Sequence, residues 1–495
     1  MKDTTEAVVT ASGAIEEKVA SNNPASSIDD TFNELHDDTL LDAREDRRLT
    51  TKIDFKVIPI LGLLYLICFL DRTNIANAKI AGLEKGLNMP STGYNTALWI
   101  FYIPFVLAEI PSNMIMIMPQ IKPNIWLGCQ TFILGVLGMC LGLTHSYKGL
   151  LALRFLMGIF ETGLPAGAGL LIASYYRKSE LSYRFALFFA FGESGSCFSG
   201  LLAYALEGLQ GSAGLAGWRW IFLVEGLITI VFSIFVFIFV PNFPARDTWL
   251  SEKDKTNLLK RLEADKGIES KDNSQVSWKT VVFDYKIWLM TLLFFCADIS
   301  AGSLSSFNPT ILSQLGWQAR KAQVMTIPVW IVGICGALSA TYLSGKFGIR
   351  WLFVLPAIAI SVTGWSIHLR QVQPASVRYF AQFLISFGTF VQMPLYIGWL
   401  TANLRGQASQ SFGTAIQLGI GNCANFVSSN IFITTQAPKY PVGFGVGLGL
   451  TSFSFVVTFV LLLTIYIHNN KIDAKKAALA PGEKLDDQVD YKYVF

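Results

Sequence analysis

Four charged residues stand inside long apolar stretches of this sequence, where a charge needs a partner or a wet cavity. Asp71 and Arg72 are neighbours in FLDRTNIANAK, and Arg154 and Glu161 are seven residues apart in RFLMGIFETG. Seven residues make two helical turns, so Arg154 and Glu161 share one helix face. Fixed cations attract an anion, and buried carboxylates take up and release protons. The pattern favours a cavity wall that binds an anion and exchanges protons.

The depth of these residues suggests which of them meet. With 1.5 Å of rise per residue, Asp71 lies ~22 Å from Lys56 at one face, and Arg154 lies ~10 Å from the other face. In a hydrocarbon layer ~30 Å thick the two are at nearly the same depth. An Asp71–Arg154 ion pair that only joins two helices is therefore as consistent with the pattern as a functional site. Such a pair would not explain why Arg72 and Glu161 are also present, which favours a function for those two.

Further polar residues lie inside the apolar stretches. Glu193 in FFAFGESGSC and Asp298 in FFCADISAGS each either titrate or take part in hydrogen bonds with their neighbours. Glu109 is placed toward the inner end of its span, where it caps or pairs, and Glu225 is assigned to packing. Uncharged residues of the later spans are candidates for hydrogen bonds to a substrate or between helices. They are Gln382, Gln392, Tyr396, Asn308, Asn422 and Asn425.

The elements that must position these residues are membrane-spanning helices. Hydrophobic residues make up 52% of the 495 residues and charged residues 15%, whereas a soluble domain has about 25% charged residues. Most of the apolar stretches reach the ~20 residues that a helix needs to cross the hydrocarbon. They make about twelve spans, at 55–83, 94–118, 125–144, 148–175, 181–207, 218–241, 285–313, 323–345, 350–369, 376–400, 410–435 and 442–468.

A polar interval divides the spans six and six, which predicts an all-α membrane protein of two six-helix bundles. The interval contains SEKDKTNLLKRLEADKG, a mixed-charge run typical of a short surface helix. If the N-terminus is cytosolic, the connections on the cytosolic side carry more Lys and Arg than those on the opposite side. Both termini are therefore predicted to be cytosolic. The predicted divisions are a disordered tail over 1–52, bundles over 53–241 and 285–468, a cytosolic linker over 242–284 and a C-terminal tail over 469–495.

The sequence contains no motif of a nucleotide-driven pump. A Walker A motif is absent, and the glycines of GFGVGLGL lack the preceding strand that a nucleotide-binding loop requires. The four His and seven Cys show no metal-ligand spacing, so neither a metal nor another cofactor is expected. A net charge of +4 is too small to indicate a nucleic-acid partner. No catalytic constellation is found, which argues against an enzyme.

Seven segments resemble the fungal allantoate permease family. They are FLDRTNIANAKIAGLEKGL, EIPSN, RFLMGIFETGLPAG, SYYRKSE, GWRWIFLVEGL, FNPTILSQLGW and GNCANFVSSNIFITTQAPKYPVGF. This family belongs to the anion:cation symporters of the major facilitator superfamily, and it includes permeases for nicotinate, pantothenate, biotin and allantoate. The likeness covers about residues 50–470 in order. It implies twelve helices in two pseudo-symmetric bundles, with the first, fourth, seventh and tenth lining a central cavity.

Bacterial sugar-acid members of the same symporter group, such as galactonate transporters, have an Asp-Arg pair in the first helix. They also have an Arg and a Glu seven apart in the fourth. These motifs fall on Asp71, Arg72, Arg154 and Glu161. The resemblance implies that Asp71 and Glu161 carry protons, that Arg72 binds the substrate carboxylate and that Arg154 holds Asp71. Glu193 departs from the small residue usual in the family and is a further proton-coupling candidate.

Together these features predict a secondary transporter that imports a small organic anion with protons across the plasma membrane, by alternating access. Nicotinate, pantothenate and allantoate are examples of such anions. The expected partners are the substrate, protons and the lipid bilayer, and the protein is expected to be monomeric. Two alternatives share the fold: an exporter of a metabolite and a porter of the vacuole or another internal membrane. A third is a nutrient sensor that transports nothing, although the tails are short for that role.

Overall fold

A computed structural model describes residues 43–270, 283–404, 407–477 and 493–494. The regular elements within these ranges are all helices, which confirms the predicted all-α membrane fold. Residues 1–42 of the predicted N-terminal tail lie outside the described residues. The first helix then begins at Ala43, before position 53 where the sequence placed the start of the bundle.

The first half of the chain forms one helical bundle. Its eight helices are α1 (Ala43–Ile80), α2 (Leu83–Gly86), α3 (Gly93–Ile117), α4 (Pro123–Leu143), α5 (Tyr147–Glu161), α6 (Gly163–Tyr175), α7 (Lys178–Glu207) and α8 (Gly217–Phe239). Helices α5 and α6 together form the predicted fourth span and meet at Thr162. Pro165 explains this break, because a proline has no N–H to donate to the carbonyl group of Glu161 four residues earlier.

The second half follows a charged linker helix. The remaining helices are α9 (Glu252–Ser270) in the linker, then α10 (Tyr285–Gln314), α11 (Ala319–Phe347), α12 (Trp351–Leu369), α13 (Ala375–Ala402), α14 (Gln407–Asn422), α15 (Ala424–Ile431) and α16 (Pro441–Ala477). Eleven segments of the described ranges are long and apolar enough to cross a membrane. The predicted span at 410–435 is present as α14 and α15, which meet at Cys423 and are each too short to be counted.

The linker helix α9 is bound to the start of α1 by charged side chains. Lys52 Nζ lies 2.6 Å from Asp254 Oδ2, and Arg261 Nε lies 2.8 Å from Asp46 Oδ1. The hydrogen bond from Lys52 lowers the pKa of the Asp254 carboxyl, so this group is ionised at neutral pH. These contacts fix one end of the bundle, which carries α9 and the described chain ends and is called the linker side below. The other end is called the far side.

Hydrogen bonds join the two halves at the far side. Tyr94 donates through its hydroxyl to the carbonyl oxygen of Ser306 at 2.7 Å. Asn95 donates from Nδ2 to two carbonyl oxygens, of Ser429 at 2.6 Å and of Phe432 at 3.1 Å. Two adjacent residues at the start of α3 thus hold the far ends of α10 and α15.

The excess of basic residues predicts that the linker side faces the cytosol. Epitope tags at either terminus or in the 271–282 segment are therefore expected to bind antibody only after cells are permeabilised. A tag in the 209–216 connection, at the far side, is the matched control and should be labelled on intact cells. Labelling of the linker tag on intact cells would reverse the orientation.

Candidate functional site

Helices α1 and α5 bring together the charged pair at the centre of the site. Arg72 Nε donates to Glu161 Oε1 in a short ion pair. The Arg72 side chain is 15% exposed and the Glu161 side chain 1%. Part of the Arg72 side chain is therefore accessible to a solute, whereas the Glu161 side chain is enclosed. Glu161 is the last residue of α5, so the break at Thr162 places the carboxylate at a helix end.

Two aromatic rings flank the Arg72 guanidinium. Its central carbon lies 5.5 Å from the centre of the Phe69 ring and 4.6 Å from that of Phe105. Rings at these distances attract a cation and exclude water from it. The Nη2 atom is buried and has no hydrogen-bond acceptor among the described residues. Glu161 Oε2 is also buried, and no described residue donates a hydrogen bond to it. The pair therefore leaves a donor and an acceptor unused, and a carboxylate ligand would use the donor.

Asp71 faces a different helix from its neighbour Arg72. Adjacent residues of a helix point about 100° apart. Asp71 points toward α8, where the Thr229 hydroxyl lies 3.4 Å from Asp71 Oδ2 and 3.0 Å from the carbonyl oxygen of Glu225. Its side chain is buried. The ion pair among the four charged residues thus joins Arg72 to Glu161, and not Asp71 to Arg154 as their equal depth had suggested. Depth along the membrane does not determine the direction of a side chain around the helix.

Arg154 fixes α5 against α3. Its Nε donates to the carbonyl oxygen of Ala97 at 3.2 Å, and its guanidinium lies 5.1 Å from the centre of the Phe101 ring. One turn further along α5, a Cβ on Gly158 would lie 2.2 Å from the carbonyl oxygen of Phe101. The missing side chain allows the two backbones to approach. Arg154 therefore positions Glu161 by holding the helix that carries it.

The second half contributes a carboxyl group. Asp298 in α10 is buried, and Oδ2 accepts a hydrogen bond from Asn425 Nδ2 at 2.9 Å. Asn425 also donates to the carbonyl oxygen of Asn422, at the junction of α14 and α15. Arg72 interacts electrostatically with Asp298 across the interface between the halves. The site thus has one cation on α1 and carboxyl groups on both halves.

The remaining predicted residues fall into two groups. Glu193, Asn308 and Gln382 are buried, and each has at least one side-chain oxygen or nitrogen without a hydrogen-bond partner among the described residues. Gln392 and Tyr396 instead bind each other, because the Tyr396 hydroxyl donates to Gln392 Oε1 at 3.1 Å. The first group retains hydrogen-bonding capacity for a ligand, whereas the second uses its capacity within α13.

Two glutamates that the sequence assigned to other roles also approach the site. Both carboxylate oxygens of Glu225 are buried without a hydrogen-bond partner in the described ranges, one turn before Thr229 in α8. Because Thr229 contacts Asp71, the packing role expected of Glu225 places a further carboxyl group beside the site. Glu109 is only partly buried and lies in α3 near Arg72.

Sequence reasoning missed the groups that surround these charges. Nothing in the sequence distinguishes these groups, because their residue types are common in apolar helices. They belong to Phe69, Phe105, Ala97 and Thr229. The aromatic run FYIPF in α3 is the only local signal, since it places rings on successive turns. Which ring lies against Arg72 depends on how α3 packs on α1 and α5.

The arrangement suits the binding and release of anions and protons rather than the making and breaking of covalent bonds. It contains an arginine, several buried carboxyl groups and aromatic rings, and a carboxylate ligand that enters would compete with Glu161 for Arg72. Among the residues that the structure describes, no group of three His, Cys, Asp or Glu side chains is placed to hold a metal ion.

The sequence is similar to known transporters along most of its length. The sequence model of the Major Facilitator Superfamily matches residues 61–421. An uncharacterised transporter of Schizosaccharomyces pombe is 31% identical, and the alignment covers 91% of this chain and 89% of that protein. The high-affinity nicotinic acid transporter of Saccharomyces cerevisiae is 28% identical, with 90% and 82% covered.

The fold is also similar to that of solved transporters. The proton:xylose symporter XylE of E. coli, bound to 6-bromo-6-deoxy-D-glucose, superposes with a TM-score of 0.61. The match covers 81% of this chain and 95% of that structure, at 16% sequence identity. This likeness supports the major facilitator fold of the chain.

Proposed function

The chain belongs to the Major Facilitator Superfamily, whose members are transporters rather than enzymes, and on this premise we propose that it imports a small organic anion together with protons across the plasma membrane. The proposed mechanism is secondary active transport by alternating access. Nicotinate, pantothenate and allantoate are the first substrates to test, because one similar protein is named a nicotinic acid transporter.

One observation carries the proposal: Arg72 and Glu161 form an ion pair in which the arginine side chain is partly accessible and the glutamate side chain is enclosed. An anionic substrate must compete with the Glu161 carboxylate for the guanidinium. A planar guanidinium binds a carboxylate through two parallel hydrogen bonds, and the buried Nη2, which has no acceptor among the described residues, would donate one of them once the ion pair opens. Substrate binding is therefore an exchange of one carboxylate for another on Arg72.

The same exchange couples the substrate to a proton. When Glu161 takes up a proton it releases Arg72, which then requires the negative charge of the substrate. When the substrate leaves, Glu161 loses its proton and pairs with Arg72 again. Breaking a buried ion pair without replacing the lost charge costs about 3–5 kcal/mol, which disfavours movement of the carrier with only one of the two bound. Substrate and proton therefore cross the membrane together.

Asp71 is the proposed site of a second proton. Its carboxylate forms no ion pair within the described residues, and its contact with α8 is the Thr229 hydroxyl, at 3.4 Å. A hydroxyl group stabilises a negative charge less than an ion pair does. Because Asp71 points toward Thr229, its protonation does not directly compete with substrate on Arg72. Glu193 is the alternative carrier, and Arg154 acts on Glu161 through the position of α5.

The rings beside Arg72 favour a substrate with a flat apolar part. A carboxylate on the guanidinium would bring the rest of an aromatic acid against Phe69 or Phe105, where ring–ring contact adds to the ion pair. Asn308 and Gln382, whose polar atoms are unused, are better candidates for further hydrogen bonds than Gln392, Tyr396 or Asn422.

The test is uptake of labelled nicotinate, pantothenate, allantoate and a neutral sugar into cells that lack their own permeases for them, at acidic and neutral external pH. One or more of the acids should accumulate, and more strongly at acidic pH, whereas the sugar should not. Cells that express the Arg72→Ala variant at the surface are the control. Faster loss of preloaded acid from cells with the protein would instead identify an exporter, and an acid that is bound without any flux would identify a sensor.

A further inference from the structure

Tyr493 and Val494, near the end of the chain, lie against the linker side of the second half. Val494 is held by Asn403, just after the end of α13, through two hydrogen bonds. Asn403 Nδ2 donates to the carbonyl oxygen of Val494 at 3.1 Å, and the Val494 N–H donates to Asn403 Oδ1 at 2.8 Å. Trp399 Nε1 donates to the same carbonyl oxygen at 2.9 Å. Both backbone groups of one residue are thus bound by side chains of α13 and its end.

Tyr493 is held in the same way by a second asparagine. Asn469 Nδ2 in α16 donates to its carbonyl oxygen at 3.0 Å, and the Tyr493 N–H donates to Asn469 Oδ1 at 2.9 Å. The Tyr493 ring stacks on His468 at 4.1 Å between centroids, and Lys286 Nζ of α10 lies 3.9 Å from its centre. Two successive residues therefore use all their backbone hydrogen-bonding groups on side chains of α16 and of α13 and its end, and the Tyr493 ring contacts α10 as well.

This pattern is a way of binding an extended peptide. An asparagine that accepts from the N–H and donates to the carbonyl group of one residue replaces the partner strand that such a residue would have in a sheet. A contact made by chance on a surface satisfies some of these groups, whereas here all four are satisfied. The stacked ring adds a side-chain preference for an aromatic residue at position 493.

We propose that the linker-side ends of α10, α13 and α16 form a clamp for the chain's own C-terminal residues, and that the bound tail restrains the end of α13. The clamp residues are Lys286, Trp399, Asn403, His468 and Asn469. The family relationship and the proposed substrate do not require such a clamp, so the inference stands apart from the proposed function. Its physical consequence follows from the positions: the connection from α13 to α14 begins at Asn403, and the tail holds that residue from outside.

The test uses the full-length protein in detergent or vesicles, with a photo-crosslinking phenylalanine analogue in place of Tyr493. Light should join position 493 to peptides of α10 or α16 within one chain. The double variant Asn403→Leu and Asn469→Leu removes four hydrogen bonds and should lower the yield at least about tenfold. Adding an excess of a synthetic peptide of residues 486–495 should also lower it, because the peptide competes for the clamp.

Asn430→Leu is the matched control. Asn430 is exposed at the far side and donates only to a carbonyl oxygen of its own helix, so its replacement should leave crosslinking unchanged. The size-exclusion profile of each variant shows whether it is folded. An unchanged yield in a folded double variant would overturn the clamp, and crosslinks between two copies would overturn binding of the chain's own tail. If the double variant does not fold, the test rests on whether the synthetic peptide lowers the crosslinking yield of the protein with unchanged clamp residues.

Discussion

Replacing Glu161 by Gln is expected to abolish accumulation of substrate while leaving its exchange across the membrane intact. The amide keeps the shape of the side chain but carries no charge and binds no proton. Arg72 then loses its ion-pair partner at every pH, so an anionic substrate binds without first displacing the Glu161 carboxylate. One unit of pH difference is worth about 1.4 kcal/mol per coupled proton, or tenfold in accumulation, and this contribution should disappear.

The measurement is uptake and counterflow in vesicles reconstituted with the variant. Counterflow should proceed at external pH values where the wild type slows, and a pH gradient should drive no net uptake. Glu180→Gln is the matched control, because Glu180 also pairs with a buried arginine, Arg261, but at the linker side. That variant should be less stable and still accumulate substrate. If Glu161→Gln accumulates substrate under a proton gradient, Glu161 is structural and Asp71 or Glu193 carries the proton.

Replacing Arg72 by Lys is expected to weaken substrate binding by about 10- to 100-fold at normal surface expression. Lysine retains the positive charge but lacks the planar group that binds a carboxylate through two hydrogen bonds. A hydrogen bond to a charged group contributes about 1.5–3 kcal/mol, which corresponds to that range of affinity. An ammonium group is also smaller than a guanidinium, so the variant loses part of the contact with the Phe105 ring.

Binding is best measured by competition against labelled substrate at acidic pH, where protonated Glu161 leaves the cation available. Arg184→Lys serves as the control, since Arg184 forms a two-bond pair with Asp54, at 2.7 and 2.9 Å, away from the site. It should change stability and leave affinity unchanged. Wild-type affinity in the Arg72→Lys variant would remove Arg72 from the substrate site.

The fold followed from the sequence because the bilayer imposes simple rules. Apolar stretches of ~20 residues must become helices there, since no other single segment satisfies its own backbone hydrogen bonds. The position of the linker helix followed from its mixed charge. Three features did not follow: the break at Thr162, the break at Cys423 and the extension of α1 back to Ala43. Pro165 accounts for the first break after the fact, whereas no proline follows the second within a turn. Contacts of α1 with the linker helix stabilise that extension, and these are tertiary.

The sequence alone identified the charged residues that are candidates for the site, because a charge in hydrocarbon is costly enough to stand out wherever it is retained. It also fixed Arg154 and Glu161 on one helix face through their spacing. Only the tertiary structure decided the partners: Arg72 with Glu161, Asp71 with Thr229, and Arg154 with a backbone carbonyl group. The reason is that spacing along a helix sets relative direction within that helix, whereas its rotation against its neighbours is set by the packing of all the side chains between them.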